Sequence, residues 1–273
     1  MPEPKDIEFW DEVEKFISDR SLGIINLDGA KHRTIGTATL IQNGNIVGLL
    51  TCGHVVEQVT KLSKVGLVRF NLKEGHGERI VLIKDEISPI VSPGLNHKID
   101  GTDLGFISIP KHRFASLAAK MSPVDWQTQR SRAHSTPPPE TQRSSFIMGM
   151  LGEWEPEEPV ILSNNIIKYD HRGLINAGRV DHEEKNEMGL DLIDFSIDNG
   201  PVFQGPKNYG GTSGAAVWSF YWRELESKKI EVVERRLLGL AFFAIYEPTT
   251  RIRCHGPHSV HEYLFNIVNK KFA

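Results

Sequence analysis

Short β-forming runs dominate this chain, and turn residues interrupt each one before a long helix could propagate. Runs rich in Val, Ile, Leu and Thr occupy 22–27, 34–42, 45–51, 65–72, 79–84 and 103–109. A second set occupies 145–151, 159–167, 174–180, 190–197, 214–220 and 235–246, with Gly, Asn and Pro between the runs. Many short strands at this spacing predict an all-β sandwich or barrel. Asn43-Gly44, between two apolar runs, predicts a hairpin turn. There is no internal repeat or fixed-period array.

Helices are expected only at the ends. Over 6–18, Ile7, Trp10, Val13 (or Glu14) and Ile17 fall near one helical face. Ser259-Val260-His261-Glu262 has capping-box spacing, and Val260, Leu264, Ile267 and Val268 follow at helical intervals. The segment 120–144 carries Ser135-Thr136-Pro137-Pro138-Pro139 and few apolar residues, so it is expected to be an exposed linker lengthened by an insertion. The expected division is therefore a helical extension at 1–20, a first strand set at 21–119, the linker at 120–144, and a second strand set with terminal helix at 145–273.

The 273 residues suffice for one large domain or two modest ones with a real apolar core. A net charge of −3, from 32 basic and 35 acidic side chains, gives no general attraction to nucleic acid or acidic lipid. The longest apolar run, Leu237 to Ile245, is far short of the ~20 residues a membrane-spanning helix needs. The acidic start at Met1 to Glu8 lacks the pattern of a secretory signal. Cys52 and Cys254 are the only cysteines, so no disulfide framework is expected and a reducing, cytoplasmic setting fits best. A precursor trimmed before residue 1 would look the same.

Three segments carry chemistry. Leu49-Leu50-Thr51-Cys52-Gly53-His54-Val55-Val56 is a buried strand running into a histidine at a turn. Thr102-Asp103-Leu104-Gly105-Phe106-Ile107-Ser108-Ile109 sets an aspartate at the head of a strand. Gly210-Gly211-Thr212-Ser213-Gly214-Ala215-Ala216-Val217 sets a serine in a glycine-rich turn leading into a strand. Acyl transfer needs these residue types. A serine hydroxyl attacks well only when an imidazole takes its proton, and that imidazole needs a carboxylate to fix its tautomer. The developing oxyanion needs converging backbone N–H donors, here expected from Gly211 and Ser213.

These segments resemble those of the chymotrypsin/trypsin-like serine proteases. Thr51-Cys52-Gly53-His54-Val55 is similar to the family's Thr-x-x-His, closest to the bacterial high-temperature-requirement branch. Asp103-Leu104-Gly105 is similar to the strand bearing the acid, and Gly211-Thr212-Ser213-Gly214-Ala215 to the nucleophile segment Gly-x-Ser-Gly-Gly. The order His, Asp, Ser also matches. The resemblance covers roughly 22–268 and implies two six-stranded antiparallel β-barrels, the first with His54 and Asp103 and the second with Ser213. It implies a serine endopeptidase acting on a protein or peptide substrate without metal or organic cofactor. No PDZ-type domain is expected after the terminal helix.

Departures from the pattern carry information. Ala215 stands where the family usually has Gly. Thr212 replaces the aspartate that pairs with a newly cut N-terminus in digestive proteases, so no activation switch of that type is expected. Activity would then be constitutive or gated by loop order or a regulatory protein partner, with the N-terminal helix and 120–144 as surfaces for control. Alignment with the family places Lys207 near the floor of the primary specificity pocket and Phe242, Phe243 and Ala244 near its wall. A lysine there would favour an acidic residue before the scissile bond, unless its side chain reaches out to solvent, which leaves small or apolar preference at least as well supported.

Other readings compete. An α/β-hydrolase wants Gly-x-Ser-x-Gly, but Ala215 stands at the second glycine, and no aspartate follows Asp198. A phosphate loop lacks its Lys-Ser/Thr pair and its helix. His255, His258 and His261, with Cys254 and Glu262, invite a zinc reading, against which exposed histidines at a helix start are commoner. Cys52 is expected to be a packed thiol. Arg235-Arg236 and Lys228-Lys229 read as a solvated hairpin, and Trp218, Phe220 and Trp222 as a strand face with a packing partner. A catalytically silent protease-like fold serving as a protein-binding module is the alternative of another class.

Overall fold

The computed structural model describes residues 6–29, 32–70, 79–154, 160–163, 166–168, 173–197, 205–246 and 250–272. Its first half is one curved sheet built from β1 (Ser21–Asn26), β2 (Arg33–Asn43), β3 (Ile46–Thr51), β4 (Lys64–Arg69), β5 (Arg79–Ile83), β6 (Ser88–Val91) and β7 (Gly105–Ser108). The spatial order is β5-β4-β1-β2-β3-β7-β6, and a two-residue strand, β8 (Val124–Asp125), adds to β2 as the eighth member. Asn43-Gly44 turns β2 into β3 as the sequence predicts, with Asn43 opposite Ile46. Where six strands in a first barrel are expected, the described residues form an eight-stranded half-barrel sheet in which no ladder joins β5 to β6.

The second half does close. It contains β9 (Gln142–Met150), a small hairpin of β10 (Val160–Ser163) and β11 (Ile166–Lys168), then β12 (Gly173–Lys185), β13 (Asp191–Ile197), β14 (Ala216–Glu224), β15 (Ile230–Ile245) and β16 (Arg251–His255). Six of these form a closed antiparallel barrel in the order β12-β13-β16-β15-β14-β9. Closure removes the open edges that a free sheet would expose. The protein is thus mostly β, with one closed six-stranded barrel, one half-barrel sheet and short helices. Parts of the expected strand at 159–167 and of the run at 65–72 lie outside the described residues.

Helix α1 (Ile7–Ser18) buries Phe9, Val13 and Ile17, whereas Ile7 stays two-thirds exposed at 67%. Val13 and Ile17 thus lie on the buried face as expected, with half-buried Trp10 packed against the same core, and Phe9 completes that face where Ile7 is expected. Phe16 meets Trp218 edge-on at 5.0 Å and Phe220 at 5.4 Å, and Phe9 meets Trp222 at 6.0 Å. The alternating aromatics of β14 are thus one strand face, and α1 is what covers it. Arg235 and Arg236 are not a solvated pair either. Arg236 is buried, donating to the carbonyls of Ser135 and Thr136, while Arg235 pairs with Glu12.

Three further helices are α2 (Gly53–Thr60), α3 (Lys111–Ala118) and α4 (Trp126–Ala133). The last lies inside the segment expected to run as an exposed linker. Trp126 there is fully buried and stacks on Phe106 at 5.9 Å, and Asp125 caps the helix by accepting from Thr128 N–H at 2.7 Å. Met121, Val124 and Gln129 are buried beside it, so a stretch of mostly polar composition is docked by a few side chains. The chain ends in a wide π-helical turn, Ser259–Leu264, followed by α5 (Phe265–Phe272). Its start is held by Asp191, whose carboxylate accepts the N–H of His258 at 2.9 Å and of Ser259 at 2.6 Å. The expected capping box is absent, because Glu262 instead takes a two-point contact from Arg130 at 2.9 and 2.6 Å.

Candidate active site

Strand β3 ends at Thr51, Cys52 stays extended, and α2 begins at Gly53, so His54 sits in the first turn of a helix rather than in a loop. The first N–H groups of a helix lack internal acceptors. Cys52 offers no side-chain cap. Asp103, arriving from the segment before β7, fills that role: its Oδ1 accepts the His54 backbone N–H at 2.8 Å. Its Oδ2 lies 2.5 Å from His54 Nδ1. The carboxylate is 2% exposed and the imidazole 21%, so the pair is shielded from water while one face of the ring reaches the surface.

The serine-bearing turn is shaped by two glycines in the left-handed region, Gly211 at φ +96° and Gly214 at φ +87°. A Cβ on Gly214 would stand 2.1 Å from both Thr37 O and Thr51 Oγ1, so only glycine fits. Thr212, buried, closes the turn by donating its N–H and hydroxyl to Tyr209 O at 3.1 and 2.7 Å. Thr37, from β2 in the other half, then grips the turn from outside. Its N–H donates to Ser213 O at 2.8 Å, its hydroxyl donates to Gly211 O at 2.9 Å, and the same hydroxyl accepts Met150 N–H at 2.9 Å. Thr37 was missed by sequence reasoning, since one threonine among several in a β run carries no signal of its own.

Peptide planarity orients the donors. The Gly210 carbonyl accepts Gly152 N–H at 2.9 Å, which turns the N–H of the same peptide unit, that of Gly211, to the opposite side. Among the described residues neither Gly211 N–H nor Ser213 N–H has an acceptor, while their neighbours Thr212, Gly214 and Ala215 all donate within the protein.

One cavity of about 510 Å³ collects the predicted residues: His54, Asp103 and Ser213 all line it, as do Phe242, Phe243 and Ala244. That volume suits a site for a small ligand or several peptide residues. Asn208, Tyr209 and Tyr246 add to the wall. The Tyr246 hydroxyl accepts Tyr209 N–H at 3.0 Å and donates to Asn208 Oδ1 at 3.2 Å, which fixes the ring. Lys207 is exposed and does not line the cavity. His97 stands beside His54, ring centroids 6.0 Å apart, and pairs with Glu57 at 3.6 Å.

Cys52 is a packed thiol, donating to Ala241 O at 2.7 Å, and burial raises its pKa well above the ordinary range. It lies close enough to His54 and Asp103 to form, geometrically, a set of three ligand atoms. Desolvation of a thiolate at that depth opposes metal binding there. The histidines of the zinc reading separate: His261 is buried and bonds Leu237 O at 2.8 Å, and His255 is buried with its Nε2 on Asp103 N–H at 3.0 Å. Neither is an exposed helix-start residue. Burial lowers the pKa of each to about 4.

No family model matches the chain, and no curated protein matches it. Two solved structures align over most of its length. One, from "Crystal structure of Rv3671c protease, inactive form", shares 12% identity with a TM-score of 0.48, covering 97% of this chain and 96% of the other. The second, from "Aromatic interactions drive the coupled folding and binding of the intrinsically disordered Sesbania mosaic virus VPg protein", shares 13% identity with a TM-score of 0.45 over 90% of each.

Proposed function

We propose that this chain is a serine endopeptidase of the chymotrypsin-like, two-barrel kind, with the first barrel incompletely closed. The observation that carries the reading is the buried His54–Asp103 pair opening on the same cavity as Ser213. In this account His54 takes the Ser213 proton as the hydroxyl attacks a peptide carbonyl. Asp103 keeps the proton of the resting imidazole on Nδ1 and stabilises the imidazolium. Gly211 and Ser213 N–H groups receive the oxyanion. His54 then protonates the leaving amine, and water repeats the sequence on the acyl-enzyme. No metal or organic cofactor enters any step.

Phe242, Phe243 and Ala244 supply an apolar part of a cavity wall that is otherwise mixed, and Lys207 lies outside it, so the residue before the scissile bond is proposed to be apolar or small. A cytoplasmic setting, a regulatory protein partner and kinship with the high-temperature-requirement branch remain parts of this proposal. Among the described residues no helix is long and apolar enough to cross a membrane. The deciding experiment is active-site labelling with a fluorophosphonate probe: the wild type should label stoichiometrically and Ser213→Ala should not label. Equal labelling of both would overturn the assignment. A folded wild type that never labels, even with cell extract, would favour the silent binding module.

A further inference from the structure

Beneath Asp103 lies a histidine that the catalytic steps do not use. His255 ends β16 in the closed barrel and is fully buried, yet its Nε2 accepts the backbone N–H of Asp103, from the other half, at 3.0 Å. Asp103 sits between an isolated bridge at Thr102 and the start of β7 at Gly105, so no sheet ladder holds its N–H. The His255 ring also stacks on Phe242, with centroids 4.5 Å apart and planes 22° apart. Phe242 lines the cavity. One ring therefore touches both the carrier of the acid and the wall of the cleft.

The state of the ring follows from this geometry. With Nε2 accepting, the proton resides on Nδ1, which is buried and has no partner among the described residues. Burying an orphan donor is unfavourable. A phenyl ring of similar shape would fill the space and stack on Phe242 without that cost, but it could not accept from Asp103 N–H. Burial keeps the ring neutral above pH ~4, so the Nε2 lone pair stays available.

We infer that His255 is a positioning residue for the triad, anchoring the Asp103 backbone so that its carboxylate reaches both the N–H and the Nδ1 of His54. The inference rests on the proposed reading of Ser213, His54 and Asp103. It distinguishes an acceptor at this position from mere bulk.

The test compares His255→Phe with His255→Gln, whose side-chain amide can place an acceptor near the former Nε2. In folded His255→Phe, kcat should fall at least tenfold with KM within twofold, and His255→Gln should recover to within about threefold of wild type. The downfield proton resonance of His54 Nδ1–H should shift or broaden in His255→Phe and persist in His255→Gln. Folded His255→Phe with kcat within twofold and an unchanged resonance would overturn the inference. Should His255→Phe not fold, His255→Gln is set against His255→Asn, whose shorter amide cannot reach; equal activity of the two would be the overturning result. If wild-type protein neither turns over nor labels at Ser213, the protease reading fails by itself. The His54 resonance in the same variants still decides whether His255 orients the pair.

Discussion

Asp103 holds His54 at two points, one carboxylate oxygen on the backbone N–H at 2.8 Å and the other 2.5 Å from Nδ1. The first contact supplies a helix cap and the second sets a tautomer, so a single side chain joins local folding to chemistry. Asp103→Asn can keep an oxygen on the backbone N–H but then presents an amide N–H to Nδ1. That forces the proton to Nε2 and blocks proton acceptance from Ser213. A drop in kcat of about ten-thousandfold is expected with the melting temperature little changed. Steady-state peptide hydrolysis beside a thermal melt checks it.

Gly211→Ala should separate catalysis from binding. Its Cβ would stand 2.8 Å from Met150 O and from Thr34 Cγ2, at a φ that disfavours side chains. Relief requires rotation of the peptide whose N–H is proposed to face the oxyanion. A fall in kcat of roughly 10²–10³-fold, with KM changed far less, is the expected outcome. Single-turnover kinetics resolve the two.

Thr37→Val removes a hydroxyl and little volume. Gly211 O and Met150 N–H would both lose their partner. Leaving two such groups unsatisfied should lower stability by about 2–4 kcal/mol, read from urea denaturation, and reduce kcat because the serine turn loosens. Thr37→Ser, which keeps the hydroxyl, should stay close to wild type in both.

The buried histidines predict acid sensitivity. His255 and His261 titrate near 4 in the folded protein against an ordinary value of 6.5. Between those values the unfolded chain binds protons that the native protein excludes, so stability falls as pH drops from 6.5 towards 4 and levels off for these groups below 4. Each contributes a loss on the order of 3 kcal/mol across that window. Denaturant midpoints at pH 7 and pH 4.5 should differ accordingly, and His261→Gln should flatten part of the slope.

Arg130 and Glu262 should couple. Their two-point contact is partly shielded, and the Arg130 guanidinium holds the Glu262 carboxyl below its usual range. A double-mutant cycle with Arg130→Met and Glu262→Gln should yield about 0.5–1 kcal/mol at low salt and less at 1 M.

What the sequence made legible was local. Thr51 to Val55, Asp103 to Ile109 and Gly210 to Val217 each carry a residue type, a turn and a strand in a fixed order, and that order suffices to nominate three side chains. The Asn43-Gly44 turn and most strands of the closed barrel follow from alternation and punctuation. The rest depended on long-range partners that leave no local mark. Trp126 docks a polar segment because Phe106 and Phe265 await it, and Glu262 abandons a capping box because Arg130 is nearer. His255 looked like part of a metal-binding spacing, whereas its partner is an N–H that lies 152 residues earlier in the chain. Open or closed sheets likewise turn on which edges meet, a property of the assembled half and not of any single run.

The seating of α1 on β14 has a practical corollary. Phe9 and Phe16 form the cover over Trp218, Phe220 and Trp222, on the strand that leads directly away from the turn carrying Ser213. Any shortened form of the chain that starts near Arg20 would present those three aromatic rings to water as a sticky stripe. Poor recovery and clumping of such a form would then report an uncovered β14, and would say nothing against the role proposed for Ser213.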